Sequence, residues 1–172
     1  NDQRLYSTGQ QANNWTQFHN LTLEKTSSTL QGLTSVGFHI KVGNDLLITS
    51  GILNGATTDG TNHDLTAGSL TIASGGTYSA TSGTTTITNK TSGGNSINND
   101  GTFTHNKGTV KIDYDTTTNL DLTGTGSVDL YNLIVDSDAT VSYGASVVEN
   151  NLTKQGSGRM RPSGDSGRNL EV

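Results

Sequence analysis

The sequence predicts an all-β chain wound as a parallel β-helix, and three observations carry that prediction. First, two residues two positions apart return about every 25 residues along the chain. The pairs are Leu21 and Leu23, Leu46 and Ile48, Leu70 and Ile72, Asn95 and Ile97, Leu120 and Leu122, Ala145 and Val147, and Leu170 and Val172. Second, further apolar columns keep the same spacing. Third, glycines recur at the positions between the columns, where a backbone has to turn.

Each element follows from those columns. A spacing of two puts both members of a pair on one face of a strand. One such strand cannot bury its apolar face alone, so successive copies must stack. A second strand follows Gly51, Gly76, Gly101 and Gly126, with Leu53, Tyr78, Phe103 and Val128 two positions on. Tyr78 and Phe103 are expected to meet inside the column. A third runs through Thr85, Val110, Val135 and Met160, with Ile87 and Ile112 two positions after the first two. Gly43, Gly68 and Gly93 mark corners before the first strand, and Gly83 and Gly108 corners before the third. Ile40 and Leu65 also match. The expectation is a right-handed solenoid, the usual hand of parallel crossovers, with about seven coils of three short strands. A β-sandwich is the alternative, but it gives no reason for three columns to stay in step.

Residues 1–18 fall outside the period and read as an N-terminal cap or linker, and residues 19–172 as the solenoid. The final pair lies at the last residues, so the C-terminal end reads as uncapped. Leu170 and Val172 are then the expected assembly interface, either with more of the same protein or with another chain.

Composition fits a narrow column. Hydrophobic residues are 29% and aromatic residues 5%, with Gly 22 and Pro 1. Thr and Ser make up about a quarter of the chain. So little apolar matter approaches the range of disordered chains, yet a net charge of −5 and a strict repeat argue against disorder. A solenoid needs only a few inward side chains per coil. Cys 0 removes disulfides and thiolate metal sites, and leans toward a bacterial or viral origin. The acidic balance argues against nucleic acid, and Lys154, Arg159, Arg161 and Arg168 read as a solvated end of the column. No apolar run reaches the length of a membrane span.

Candidate chemistry is sparse. Gly164-Asp165-Ser166-Gly167 matches a serine-protease nucleophile motif, but His19, His39, His63 and His105 fall on different coils and chance is the simpler source. Asp113 and Asp138 differ by one expected coil and should stack, with Asp115 and Asp136 nearby. Such carboxylates are the calcium candidates, Asp113, Asp115 and Asp138, or a hydrolase acid pair. Against this, Lys111, Asp136 and Arg161 stand one expected coil apart and would form an alternating-charge ladder. Four N-x-[ST] triplets, at Asn14, Asn20, Asn89 and Asn151, are what this composition yields by chance. Outward Thr77, Ser79, Thr84, Thr86, Thr102, Thr104 and Thr109 form short ladders, broken at Lys111 and Asp129, that suit a strand surface better than an ice-binding face. Trp15, with Tyr6, is the candidate glycan-stacking residue; the plainer role is to cover the top of the first coil.

The stretch from Gly101 through Phe103, His105, Asn106, Gly108 and Val110 to Ile112, and then Leu130 through Asn132 and Leu133 to Val135, carries a resemblance. It resembles the Thr/Asn/Gly-rich β-solenoid repeats of large bacterial surface proteins and of phage virion proteins such as tail fibres and spikes. The resemblance spans residues 40–150. It implies an extracellular or virion-borne structural element, often oligomeric and sometimes glycan-binding, with no enzymatic role carried over. The functional expectation is a non-enzymatic, self-associating rod without a required cofactor, stacked head to tail or with other chains of its assembly. The alternative is an adhesin or receptor-binding fibre segment.

Overall fold

The computed structural model describes residues 3–4, 15–31, 39–55, 63–121, 129–138, 140–143, 146–162 and 170–171. These form fifteen strands and no helix. In order they are β1 (Gln3–Arg4), β2 (Trp15–Phe18), β3 (Leu21–Gln31), β4 (His39–Asn54), β5 (Leu65–Ser79), β6 (Thr84–Ile87), β7 (Asn95–Asn99) and β8 (Thr102–Thr104). There follow β9 (Thr109–Asp113), β10 (Thr118–Asp121), β11 (Asp129–Asp136), β12 (Thr140–Tyr143), β13 (Ser146–Gln155), β14 (Arg159–Pro162) and β15 (Leu170–Glu171). Every pairing among them is parallel. The fold is a β-solenoid.

Three walls enclose the interior. On the first, Ile40 lies beside Leu65, Leu65 beside Thr85, Thr85 beside Val110, and Val110 beside Leu133. On the second, Leu21, Leu46 and Leu70 stand in register, as do Leu23, Ile48 and Ile72. On the third, Leu30, Leu53, Tyr78 and Phe103 do the same. Period-two alternation decides which residues enter the core. In β6, Thr85 and Ile87 are buried while Thr84 and Thr86 remain partly exposed. Leu46, Ile48, Leu70, Ile72 and Ile97 are completely buried, each worth about 1.5–3 kcal/mol as an upper estimate.

The even spacing fails in identifiable places. Among the described residues, all three walls are laddered together over about four turns, fewer than the seven expected, with β8 the last described strand of the continuous third-wall ladder. On the second wall Ile97, not Asn95, lies beside Leu70, and Asn99 lies beside Ile72. The cause is the corner before β7: Gly94 takes a φ of 90° and donates to the Thr91 carbonyl at 2.9 Å, a turn that takes up extra residues. Farther on, Val110 faces Leu133 rather than Val135, and Met160 faces Val141 on the second wall. Val147 stands on the third wall between Asp129 and Glu171, so it does not continue the column of Ile97. Leu122, Val128 and Val172 lie outside the described residues. From the segment expected as a cap or linker, β1 and β2 join the ladder by pairing with β3 and β4.

Among the described residues, Tyr78 is the largest fully buried side chain. Its ring meets Phe103 edge to face at 5.6 Å, as expected, and its hydroxyl shares a 2.8 Å hydrogen bond with Thr85 Oγ1. Burial pushes the phenol up to about 12, with the hydrogen bonds to Thr85 and Thr81 pulling the other way. Unfolded tyrosine ionises near 10, so this contribution is complete below that pH and is lost as pH rises through 12. The expected result is a stability decrease of a few kcal/mol at most over that window. Urea unfolding at alkaline pH measures it. A Tyr78→Phe chain with an equally steep alkaline decline would refute the assignment.

Candidate functional site

The charged residues expected to gather are divided between two small networks. Lys111 and Asp113 are two positions apart on β9 and therefore share its outward face. Asp136, on β11, stands in register with Asp113. The Lys111 ammonium donates to Asp113 Oδ2 at 3.0 Å and pairs with Asp136 Oδ2 at 2.9 Å. Those two carboxylates, Asp136 foremost, raise the Lys111 pKa above its ordinary range. The stability they lend is present below about pH 10.5 and is lost at higher pH.

Asp138 does not stack on Asp113. The coil returns sooner than expected, so Asp136 takes that place. Asp138 Oδ1 instead accepts from the Ser157 amide at 2.6 Å and the Ser157 hydroxyl at 3.1 Å. Those bonds, with the charge of Lys154, hold its carboxyl below the usual carboxylate range. Its own amide donates to Asp115 Oδ1 at 3.3 Å. Lys154 Nζ donates to the carbonyls of Ser137 at 3.1 Å and Gly156 at 3.0 Å, and to that of Gln155. An ammonium on backbone carbonyls near a carboxylate does what a bound cation would do there. Among the described residues, no group of three or more His, Cys, Asp or Glu side chains could hold a metal.

The expected ladder from Lys111 through Asp136 to Arg161 holds only for its first step. Arg161 lies on β14 beside Ser142 of the second wall. Replacing Lys111 with methionine leaves two carboxylates facing one another across β9 and β11. The expected cost is about 0.5–1 kcal/mol at low ionic strength, shrinking in molar salt. Chemical denaturation at two salt concentrations checks it, and a salt-independent loss would point to packing instead.

The other expected positions are quickly placed. Thr77 and Thr102, Ser79 and Thr104, and Thr84 and Thr109 stand in register as short ladders. Trp15 belongs to β2 opposite His39, but its side chain and all of Tyr6 lie outside the described residues. Leu170 pairs with Ser146. Gly164-Asp165-Ser166-Gly167 also falls outside.

One constellation was not legible in the columns. The corner after β8 places Asn106 and Lys107 at φ of 45° and 60°, the left-handed region. Asn106 Nδ2 secures the turn by donating to Ser79 Oγ at 2.8 Å and the Ala80 carbonyl at 2.7 Å. The Lys107 amide donates to His105 Nδ1 at 2.9 Å, so the neutral imidazole carries its proton on Nε2. Nε2 lies 3.2 Å from Glu149 Oε1, and the ring stacks on Tyr131 at 5.7 Å and 19°. Residues 105, 131 and 149 share no common spacing, so only the left-handed Asn-Lys turn before Gly108 hinted at them.

No protein-family model, curated protein or solved structure matches the chain. Among the described residues, no helix is long and apolar enough to cross a membrane.

Proposed function

We propose that this chain is a non-enzymatic structural module of an extracellular assembly, a stiff β-solenoid segment of a phage virion appendage or decoration, or of a bacterial surface filament. The observation that supports it best is the inter-coil ladder with a mainly apolar filling, from Ile40 and Leu46 to Val135 and Val141, into which a few polar residues such as Thr85 and Asn99 are set. Its parallel hydrogen bonds and stacked side chains give rigidity from the chain's own residues. The Thr/Asn/Gly-rich repeats of virion and surface proteins, which this sequence resembles, point to the same role. Self-association with further copies or neighbouring chains completes the reading, since solenoid ends expose unpaired backbone.

Light scattering over a wide concentration range tests it. The expected outcome is a mass that climbs above the 18.0 kDa of one chain as concentration rises. A fixed single-chain mass throughout would remove the self-associating rod. Hydrolysis of a polysaccharide, abolished by Asp113→Asn or Asp138→Asn, would overturn the non-enzymatic part.

A further inference from the structure

We propose that the corner formed by His105, Tyr131, Glu149 and Asn150 is a binding site for a neutral, hydroxyl-rich saccharide. This goes beyond the structural role above and does not depend on it.

The site is built by a break in register. Leu130 pairs with Val148 and Asn132 with Asn151, so two residues, Glu149 and Asn150, oppose the single Tyr131. Such a bulge bends the strand and re-aims its side chains. Glu149 reaches across the Tyr131 layer to His105, which is itself oriented by the left-handed turn at Asn106 and Lys107. A non-glycine turn in that region costs energy and persists where surroundings over-determine it. Here the Asn106 side chain and the His105 ring both hold it. The Tyr131 ring is thus fixed before any ligand arrives, with His105 on one side.

The polar groups around it are also fixed, and they offer both donors and acceptors. Asn150 Nδ2 and Asn151 Nδ2 both donate to Asn132 Oδ1, at 2.8 and 3.3 Å. Asn132 Nδ2 points in turn to Thr109 Oγ1 at 3.4 Å. That arrangement spends one of the two N–H groups of each amide inward and leaves the other. It leaves the Asn150 and Asn151 carbonyl oxygens, the second Glu149 oxygen and the Tyr131 hydroxyl without partners among the described residues. Glu149, Asn150 and Asn151 are exposed.

A half-exposed aromatic ring offers an apolar face for the C–H face of a sugar, while its hydroxyl and the nearby oxygens meet sugar O–H groups. Preorganisation lowers the ordering cost that limits weak surface sites. Glu149 is the cluster's carboxylate and Lys107 the neighbouring exposed cation, so net charge favours neither sign. A rim of amides and a phenol with the Glu149 carboxylate among them instead suits hydroxyls that both donate and accept, as in a hexose or N-acetylhexosamine, over a carboxylated or sulfated sugar.

The test is titration of the whole chain with neutral hexose and N-acetylhexosamine trisaccharides, beside uronate and sialylated ones, followed by isotope-edited NMR. The expected result is saturable binding of a neutral trisaccharide in the millimolar range or tighter, with amide shifts centred on residues 131 and 149–151. Asn150→Ala, on an exposed side chain, should weaken it at least tenfold, and Tyr131→Ala should abolish it. Thr102→Ala, on the third wall, should leave it unchanged. The proposal is overturned by no saturable binding of any neutral member, by binding confined to anionic sugars, or by an Asn150→Ala chain that binds as before.

Discussion

A Gly101→Ala chain is expected to lose about 3 kcal/mol of stability or more. Gly101 is buried at the corner leading into the third wall, where Gly51 and Gly76 are already in register beneath one another. A Cβ there would run into the carbonyl oxygens of Ala73 and Gly76 and lie 2.8 Å from Ile72 Cγ2. Two of those three neighbours are backbone, which cannot swing away as a side chain can. The corner would have to open, and the Phe103 ring would be carried off Tyr78. Urea denaturation measures the loss, with Gly93→Ala as the comparison, since its nearest neighbour would be Thr91 Oγ1 at 3.6 Å. Equal stability of the two variants would contradict the close approach at Gly101.

The second large effect belongs to the interior. Leu70 is completely buried and stands between Leu46 and Ile97 on the second wall. Leu70→Ala deletes side-chain volume where coils stack above and below, so the cavity is bounded by layers that cannot both collapse into it. The expected cost is about 4 kcal/mol. Each coil of a solenoid depends on its neighbours, so the damage should spread along the axis and broaden the unfolding transition. Hydrogen exchange then accelerates first in β4, β5 and β7. Thr71→Ala, one residue away and facing outward, should change stability by no more than about 0.5 kcal/mol. A Leu70→Ala cost as small as that would mean the layers do not stack there.

How far the fold was legible depends on what each wall asks of its residues. Leu21, Leu46 and Leu70 could be aligned because a wall needs an apolar side chain at every second position and the corners between them are nearly equal. The same holds for Leu53, Tyr78 and Phe103, and for Ile87 with Ile112. Ile97 was placed one inward position too late. The corner ahead of it is longer, and the partner of Ile72 is Asn99, a buried polar residue that carries no hydrophobic signal. The even count was right again at Val110, beside Thr85, and failed at the next coil, which returns two residues sooner and sets Leu133, not Val135, beside Val110. The expected stack of Asp138 on Asp113 was lost to that shorter coil, since Asp113 meets Asp136 where the count expected Asp138. The corner of His105, Tyr131 and Glu149 depends on a bulge and a left-handed turn, local departures that no fixed spacing encodes.

Those unequal corners bear on how such a molecule changes length. A single residue lost inside a wall would turn the rest of that strand inside out. Residues gained between walls are absorbed, as the turn at Gly94 already does. A duplication whose ends fall on partnered positions, Leu46 through Ser69 for example, would add one storey and keep the walls in phase. The block need not match its neighbours in size, only begin and end at the same height on one face.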